Sequence, residues 1–289
     1  MRTSRIIGLI AVGAISLPLL ASCSTKPTVT GPKTKAPIGK QLAELVGSDT
    51  AASDLFGFSV ATSGTTTVVG AIGHAKYAGR AYVFDKTASG WKQVAELKGS
   101  DTAASDEFGS SVAISGTTVV VGAYGHSNKA GRAYVFTKTA SGWKQAAELD
   151  GSDTVAGDQF GSAVSLSGTT AVVAATSAAN SAGRVYVFTK TATGWNQTAE
   201  LKGSDTVAGA GFGISAAFSG ATTVVGATGE QGTGRAYIFT KTATSWKQAA
   251  ELKGSDSIAG NEFGFSMDVS GTTAVVGADN AGRAYVFQA

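Results

Sequence analysis

FGSSVAISGTTVVVGA, residues 108–123, decides how this chain folds. In an extended backbone, Phe108, Val112 and Ile114 fall on one side and the small Gly109, Ser111 and Ala113 on the other. SGTT then reads as a tight hairpin turn. Residues 117–123 follow as a nearly continuous β-branched run, the pattern of a strand covered on both faces. Working outward, GRAYVF (residues 131–136) sets Tyr134 and Phe136 against Ala133 and Val135. WKQAAEL (residues 143–149) alternates Trp143, Ala147 and Leu149 with Lys144 and Glu148, so one of its faces is wet. KTASGW joins these last two strands through a glycine. The unit is a four-stranded antiparallel meander, and helical periodicity is absent.

The unit recurs. Phe-Gly begins at Phe56, Phe108, Phe160, Phe212 and Phe263, at spacings of 52, 52, 52 and 51 residues. Gly-Arg, ending at Arg80, Arg132, Arg184, Arg235 and Arg283, recurs alongside it, as does Glu-Leu, ending at Leu45, Leu97, Leu149, Leu201 and Leu252. A single such sheet cannot bury both faces, so the copies must stack. The expected fold is all-β: a five-bladed β-propeller of four-stranded antiparallel blades over residues 40–289. The last copy lacks a fourth strand, whereas KQLAEL (residues 40–45) precedes the first Phe-Gly and matches KQVAEL (residues 92–97). The ring is therefore expected to close by the N-terminal strand completing the last blade, removing an exposed edge. An open solenoid has no use for that offset and would call for capping repeats.

FGSSVAISGTTVVVGA followed by GRAYVF and W…AEL resembles the FG-GAP repeat of bacterial surface proteins and of the integrin α-subunit head. The resemblance spans residues 40–289 and implies a propeller with a recognition role. Integrin-like propellers have seven blades against the five countable here. Their calcium-binding blades carry a D-x-D-x-D-G string that this chain lacks. No cofactor is expected on these grounds.

Candidate sites follow from the repeats. The GSD loops place Asp49, Asp101, Asp153, Asp205 and Asp256 in equivalent positions, which makes them calcium candidates. Because every copy needs the same turn, an aspartate capping its own loop explains the repetition better than a metal ring does. A second carboxylate, at Asp54, Asp106 and Asp158, becomes Ala210 and Asn261 in the last two copies. The five arginines are expected to pair with the Asp ring, and Trp91, Trp143, Trp195 and Trp246 to pack between sheets. The loops that differ most are IGHAKYA, YGHSNKA, TSAANSA, TGEQGT and DNA. Variable loops on a fixed scaffold are where recognition is built. His74, Tyr77, Tyr124, His126 and Asn128 are therefore the expected ligand-binding residues. With no Cys or carboxylate in their own loops, the two histidines read as solvated rather than as ligands of a shared metal. No catalytic constellation stands out, and the expectation is a protein that is not an enzyme.

The N-terminus reads as export machinery. Arg2 and Arg5 precede a short apolar run over residues 6–20, too short to span a bilayer. LASC resembles the lipobox of bacterial lipoproteins, which makes residues 1–22 a signal peptide and Cys23, the sole cysteine, the lipidation site. Residues 23–39, with three of the four prolines, form a tether. Removing both arginines takes the formal charge from +3 to +1, too balanced to suggest nucleic acid as a partner. The expectation is a lipid-anchored module at the cell envelope, facing periplasm or exterior, that mediates adhesion or recognition of an extracellular protein or glycan. The alternatives are a structural envelope protein without a ligand and a propeller-fold glycoside hydrolase.

Overall fold

The computed structural model describes residues 10–12 and 39–289. The rest of the expected signal peptide, Cys23 and all of the tether but Gly39 lie outside the described residues. A three-residue strand, β1 (Ile10–Val12), pairs in parallel with residues 60–62. The first repeat is β2 (Phe56–Ser63), β3 (Thr66–Ala71), β4 (Arg80–Thr87) and β5 (Gly90–Leu97). The second is β6 (Ser111–Ser115), β7 (Thr118–Ala123), β8 (Arg132–Thr139) and β9 (Gly142–Leu149). β10 (Phe160–Ser167), β11 (Thr170–Ala175), β12 (Arg184–Thr191) and β13 (Gly194–Leu201) form the third. β14 (Phe212–Ser219), β15 (Thr222–Ala227), β16 (Arg235–Lys241) and β17 (Trp246–Leu252) form the fourth. The fifth holds only β18 (Phe263–Ser270), β19 (Thr273–Ala278) and β20 (Arg283–Gln288). Each repeat is an antiparallel meander in chain order, as the patterning requires.

Neighbouring sheets share their cores. Val68, Val83 and Leu97 of the first repeat meet Phe108, Val112, Tyr134 and Phe136 of the second in one buried cluster. Phe108 stacks edge-on against Phe136 and tilts against Tyr134, with centroids at 6.0 and 5.4 Å. Burying such a side chain contributes about 1.5–3 kcal/mol, so Phe108, Phe160, Phe212 and Phe263 are main anchors between blades. The seam also needs glycine. Gly131 has φ +83, and a Cβ there would stand 2.0 Å from the Phe160 carbonyl oxygen. Gly122 is as tight against the Gly161 carbonyl, and the Ser111 hydroxyl donates to that same oxygen. In the third repeat both members change together, to Ala163 and Ala174. A Cβ at the glycine position collides with the serine hydroxyl, at 2.4 Å in the second repeat, so the pair must switch jointly.

The expected closure is not shown. Residues 40–46 belong to no strand, and the last sheet keeps three. Val275 and Val286 are 39% and 69% exposed, whereas their counterparts Val120 and Val135 are fully covered by the next blade. The opposite end is also less covered: Phe56 and Val60 are half-buried where Phe108 and Val112 are buried. The reason is local. Only Leu45 of the N-terminal segment finds a seat, against the cluster of Phe56, Tyr82 and Phe84, while its neighbours stay exposed.

Candidate functional site

The GSD loops are built around tyrosines, buried in the first four repeats and half-buried in the fifth. Tyr82, Tyr134, Tyr186, Tyr237 and Tyr285 donate their hydroxyls to Oδ1 of Asp49, Asp101, Asp153, Asp205 and Asp256 at 2.6–2.8 Å. Burial, and then the adjacent carboxylate, push the first four phenols well above their ordinary range. The second carboxylate caps the loop: Oδ2 of Asp54, Asp106 and Asp158 accepts the N–H of Ala51, Ala103 and Val155 at 2.8–2.9 Å. Where Ala210 removes that carboxylate, Glu230 enters from the facing loop and accepts from the equivalent Val207 N–H at 3.4 Å. Burial raises the Glu230 carboxyl, whose residue is 1% exposed.

The histidines are not solvated. His74 Nδ1 lies 3.0 Å from Asp54 Oδ2, and its Nε2 lies 3.7 Å from Asp49 Oδ2. His126 repeats this with Asp106 at 2.9 Å and Asp101 at 3.5 Å, and is buried. The carboxylates absent from the histidine loops come from the preceding GSD loops, which turn back over the same end of the blade. Each histidine is thus occupied in its own repeat. The backbone N–H of Ala51, then His74, hold the Asp54 carboxyl below its usual range. Asp101 is also lowered: burial opposes ionisation, but the Tyr134 hydroxyl, His126 and Arg132 outweigh it.

The other candidates divide. Tyr124 is half-buried and donates its hydroxyl to Glu107. Tyr77, at 49% exposure, and the exposed Asn128 stand on left-handed turns. Ala75, Lys76 and Tyr77 have φ of 51, 60 and 64°, and Ser127, Asn128 and Lys129 have 50, 56 and 63°. Each such residue costs roughly 1–2 kcal/mol. The turn aims carbonyls sideways at the next blade: Lys76, Tyr77 and Ala78 accept from the N–H groups of Ser105, Glu107 and Phe108 at 2.8–3.2 Å. Asn128, Lys129 and Ala130 accept likewise from Gly157, Gln159 and Phe160. The loops read as free recognition segments are therefore also the stitches between blades.

Three of the five arginines depart from expectation, and two keep to it. Arg80, Arg184 and Arg235 send Nε to Glu96, Glu200 and Glu251 of the adjacent fourth strand at 2.7–3.0 Å, not to the Asp ring. The strand register puts those glutamates beside them. Arg132 bridges Asp101, Glu148 and Asp150, and Arg283, lacking a fourth-strand glutamate, pairs with Asp256. Trp143, Trp195 and Trp246 pack against the inter-sheet clusters, as expected. The five aspartates form no common cation site among the described residues. The one convergent group there is Asp49, His74 and Glu96, with a donor atom of each within 4.8 Å of the others. Glu96, Glu230 and the orienting role of Asp54 and Asp106 were missed from the sequence. A signal existed: histidine occurs only in copies that keep the second Asp, and in the fourth copy, where Ala210 replaces that Asp, Glu230 stands at the histidine position.

Among the described residues no helix is long and apolar enough to cross a membrane. The family model described as FG-GAP repeat matches five times, over residues 40–84, 91–136, 143–188, 195–239 and 246–287. No curated protein matches the chain significantly. The five matches cover most of the sequence, each running from a fourth-strand position through the first three strands of the following sheet, and the chain belongs to the FG-GAP repeat family.

Proposed function

We propose that this FG-GAP repeat protein is a non-enzymatic binding module, exported and lipid-anchored at Cys23, that recognises an extracellular protein or glycan through the loop face carrying Tyr77 and Asn128. One observation carries the reading. These loops are fixed by hydrogen bonds to the next blade, yet they present side chains that differ from repeat to repeat. Rigid display of unequal residues is the arrangement that binding surfaces use, because little ordering entropy is lost on association. His74, His126 and Tyr124 support the turns from beneath. A glycan and protein array probed with the purified chain tests this: Tyr77→Ala and Asn128→Ala each abolish the specific signal, and unchanged binding by both refutes the surface. Metabolic labelling with a fatty acid tests the anchor, with label lost in Cys23→Ala.

The finer architecture belongs to the same reading: residues 40–45 pair with β20 and close the ring. Supporting it, Leu45 sits on Phe56, Tyr82 and Phe84 as Leu97 sits in the cluster of Phe108, Tyr134 and Phe136. Ser48 and Gln93 also bond as Ser100 and Gln145 do. The loop after the missing strand is thus already built as in the other repeats.

A further inference from the structure

We propose that Asp49, His74 and Glu96 bind one divalent transition-metal ion of the zinc type. The preorganisation begins one shell out. Asp54 Oδ2 already accepts the Ala51 N–H, so as an acceptor it takes the proton of His74 Nδ1. In the neutral ring that tautomer leaves the Nε2 lone pair for a metal, with Asp49 Oδ2 3.7 Å away. The separation is too long for a hydrogen bond but suits two ligands of one ion, since zinc bonds of about 2.1 Å give a tetrahedral edge of about 3.4 Å. Asp49 is held in turn by Tyr82, which occupies Oδ1 and leaves Oδ2 free. Glu96 is held by Arg80 Nε on Oε1, at 2.7 Å. Each ligand thus carries its own orienting partner, in the manner of carboxylate–histidine–metal sites.

The second repeat is an internal control. It holds the same set, Asp101, His126, Asp106, Glu148 and Tyr134, but a cation is already in place. Arg132 Nη1 lies 2.6 Å from Asp101 Oδ2 and 3.0 Å from Glu148 Oε2. Asp150 draws Arg132 there by pairing with Nε at 2.9 Å. In the first repeat the position of Asp150 is Lys98, and Arg80 turns its Nη1 to the Gly79 carbonyl at 2.7 Å instead. Arg80 thus pairs with Glu96 and does not bridge it to Asp49, as Arg132 bridges Glu148 to Asp101. The third and fourth repeats carry Ala178 and Glu230 in place of histidine and lose the nitrogen ligand. One imidazole with two carboxylates selects a zinc-type ion over calcium, which takes oxygen ligands throughout.

The test is a calorimetric titration of the metal-free full chain with Zn²⁺, together with ¹⁵N-resolved NMR of its two histidines. One saturable equivalent per chain is expected, shifting the His74 imidazole and leaving His126 in place. His74→Ala abolishes binding, Asp54→Asn weakens it about ten- to a hundredfold, and His126→Ala retains it. Absence of saturable binding overturns the proposal, as does an equal response of both histidines. So does wild-type affinity in a folded Asp54→Asn. The NMR readout uses the unaltered chain, so a variant that fails to fold leaves the decision intact.

Discussion

Replacing Gly131 by alanine isolates what holds one blade to the next. Two costs combine there. The residue sits at φ +83, where a side chain costs roughly 1–2 kcal/mol. Its Cβ would also stand 2.0 Å from the Phe160 carbonyl oxygen, a backbone atom that cannot swing aside, so the two blades must part. Overpacking of that kind costs typically 1–3 kcal/mol. Gly116 is the matched control, with φ +56 and nothing within 4 Å of the added carbon. Urea denaturation followed by tryptophan fluorescence is expected to show Gly116→Ala down by about 1–2 kcal/mol and Gly131→Ala by about 2–5. In thermal terms the difference between them is several degrees, at about 2–4 °C per kcal/mol for a domain of this size. Equal losses would mean that close backbone approach does not set the blade spacing, and the reasoning about the seam would fail.

Other expectations follow from the same geometry. Tyr134→Phe removes a buried hydroxyl's bond to the Asp101 carboxylate and should cost about 1.5–3 kcal/mol by denaturant titration; a loss below 0.5 would show the bond to be incidental. Glu230→Gln keeps an acceptor for Val207 while removing a charge that burial disfavours. Because the folded carboxyl is raised, the wild type loses stability as pH climbs from about 4.3, the unfolded value, through the folded one. Glu230→Gln should therefore be more stable than wild type at pH 7 and lose that advantage below pH 4; no gain at pH 7 would contradict it. Asp54 runs the other way: lowered in the fold, it stabilises above about pH 3.9 and ceases to as pH falls through its folded value. Asp54→Asn should accordingly flatten the acid limb of a stability–pH curve. Pairing of residues 40–45 with β20 would set Ala43 opposite Val286, by the register that sets Ala147 opposite Val135. In a Cys23→Ser background, Ala43→Cys with Val286→Cys should form an intramolecular disulfide, detected by thiol counting; persistently free thiols would speak against closure.

The repeat architecture was legible because burial and hydrogen bonding both scale with period. Five Phe-Gly pairs in register left only one four-stranded meander open; the first four sheets match it, and the last keeps three of its strands. The packing role of the tryptophans was equally plain from their regular places. Sequence distance hid the rest. The partners of His74 lie at positions 49 and 54 and come near only because the GSD loop folds back over the blade end, so the histidine loop alone looked bare. The Arg–Glu pairs depend on strand register rather than on loop proximity, and that turned the arginines from the Asp ring to the fourth strands. The left-handed turns carry no glycine at Ala75, Lys76 and Tyr77, so nothing in their composition announced a positive φ. Closure rested on matching the two termini, and such matching shows where a strand could go without the contacts that place it.

The most direct test of the account is the array measurement on the purified full chain, made beside Tyr77→Ala and Asn128→Ala proteins shown to unfold at the wild-type temperature. A ligand bound by the wild type and lost in both variants is the result the account predicts. A ligand bound equally by all three proteins would contradict it and move recognition away from this face, and no ligand in any of them would contradict the binding role itself.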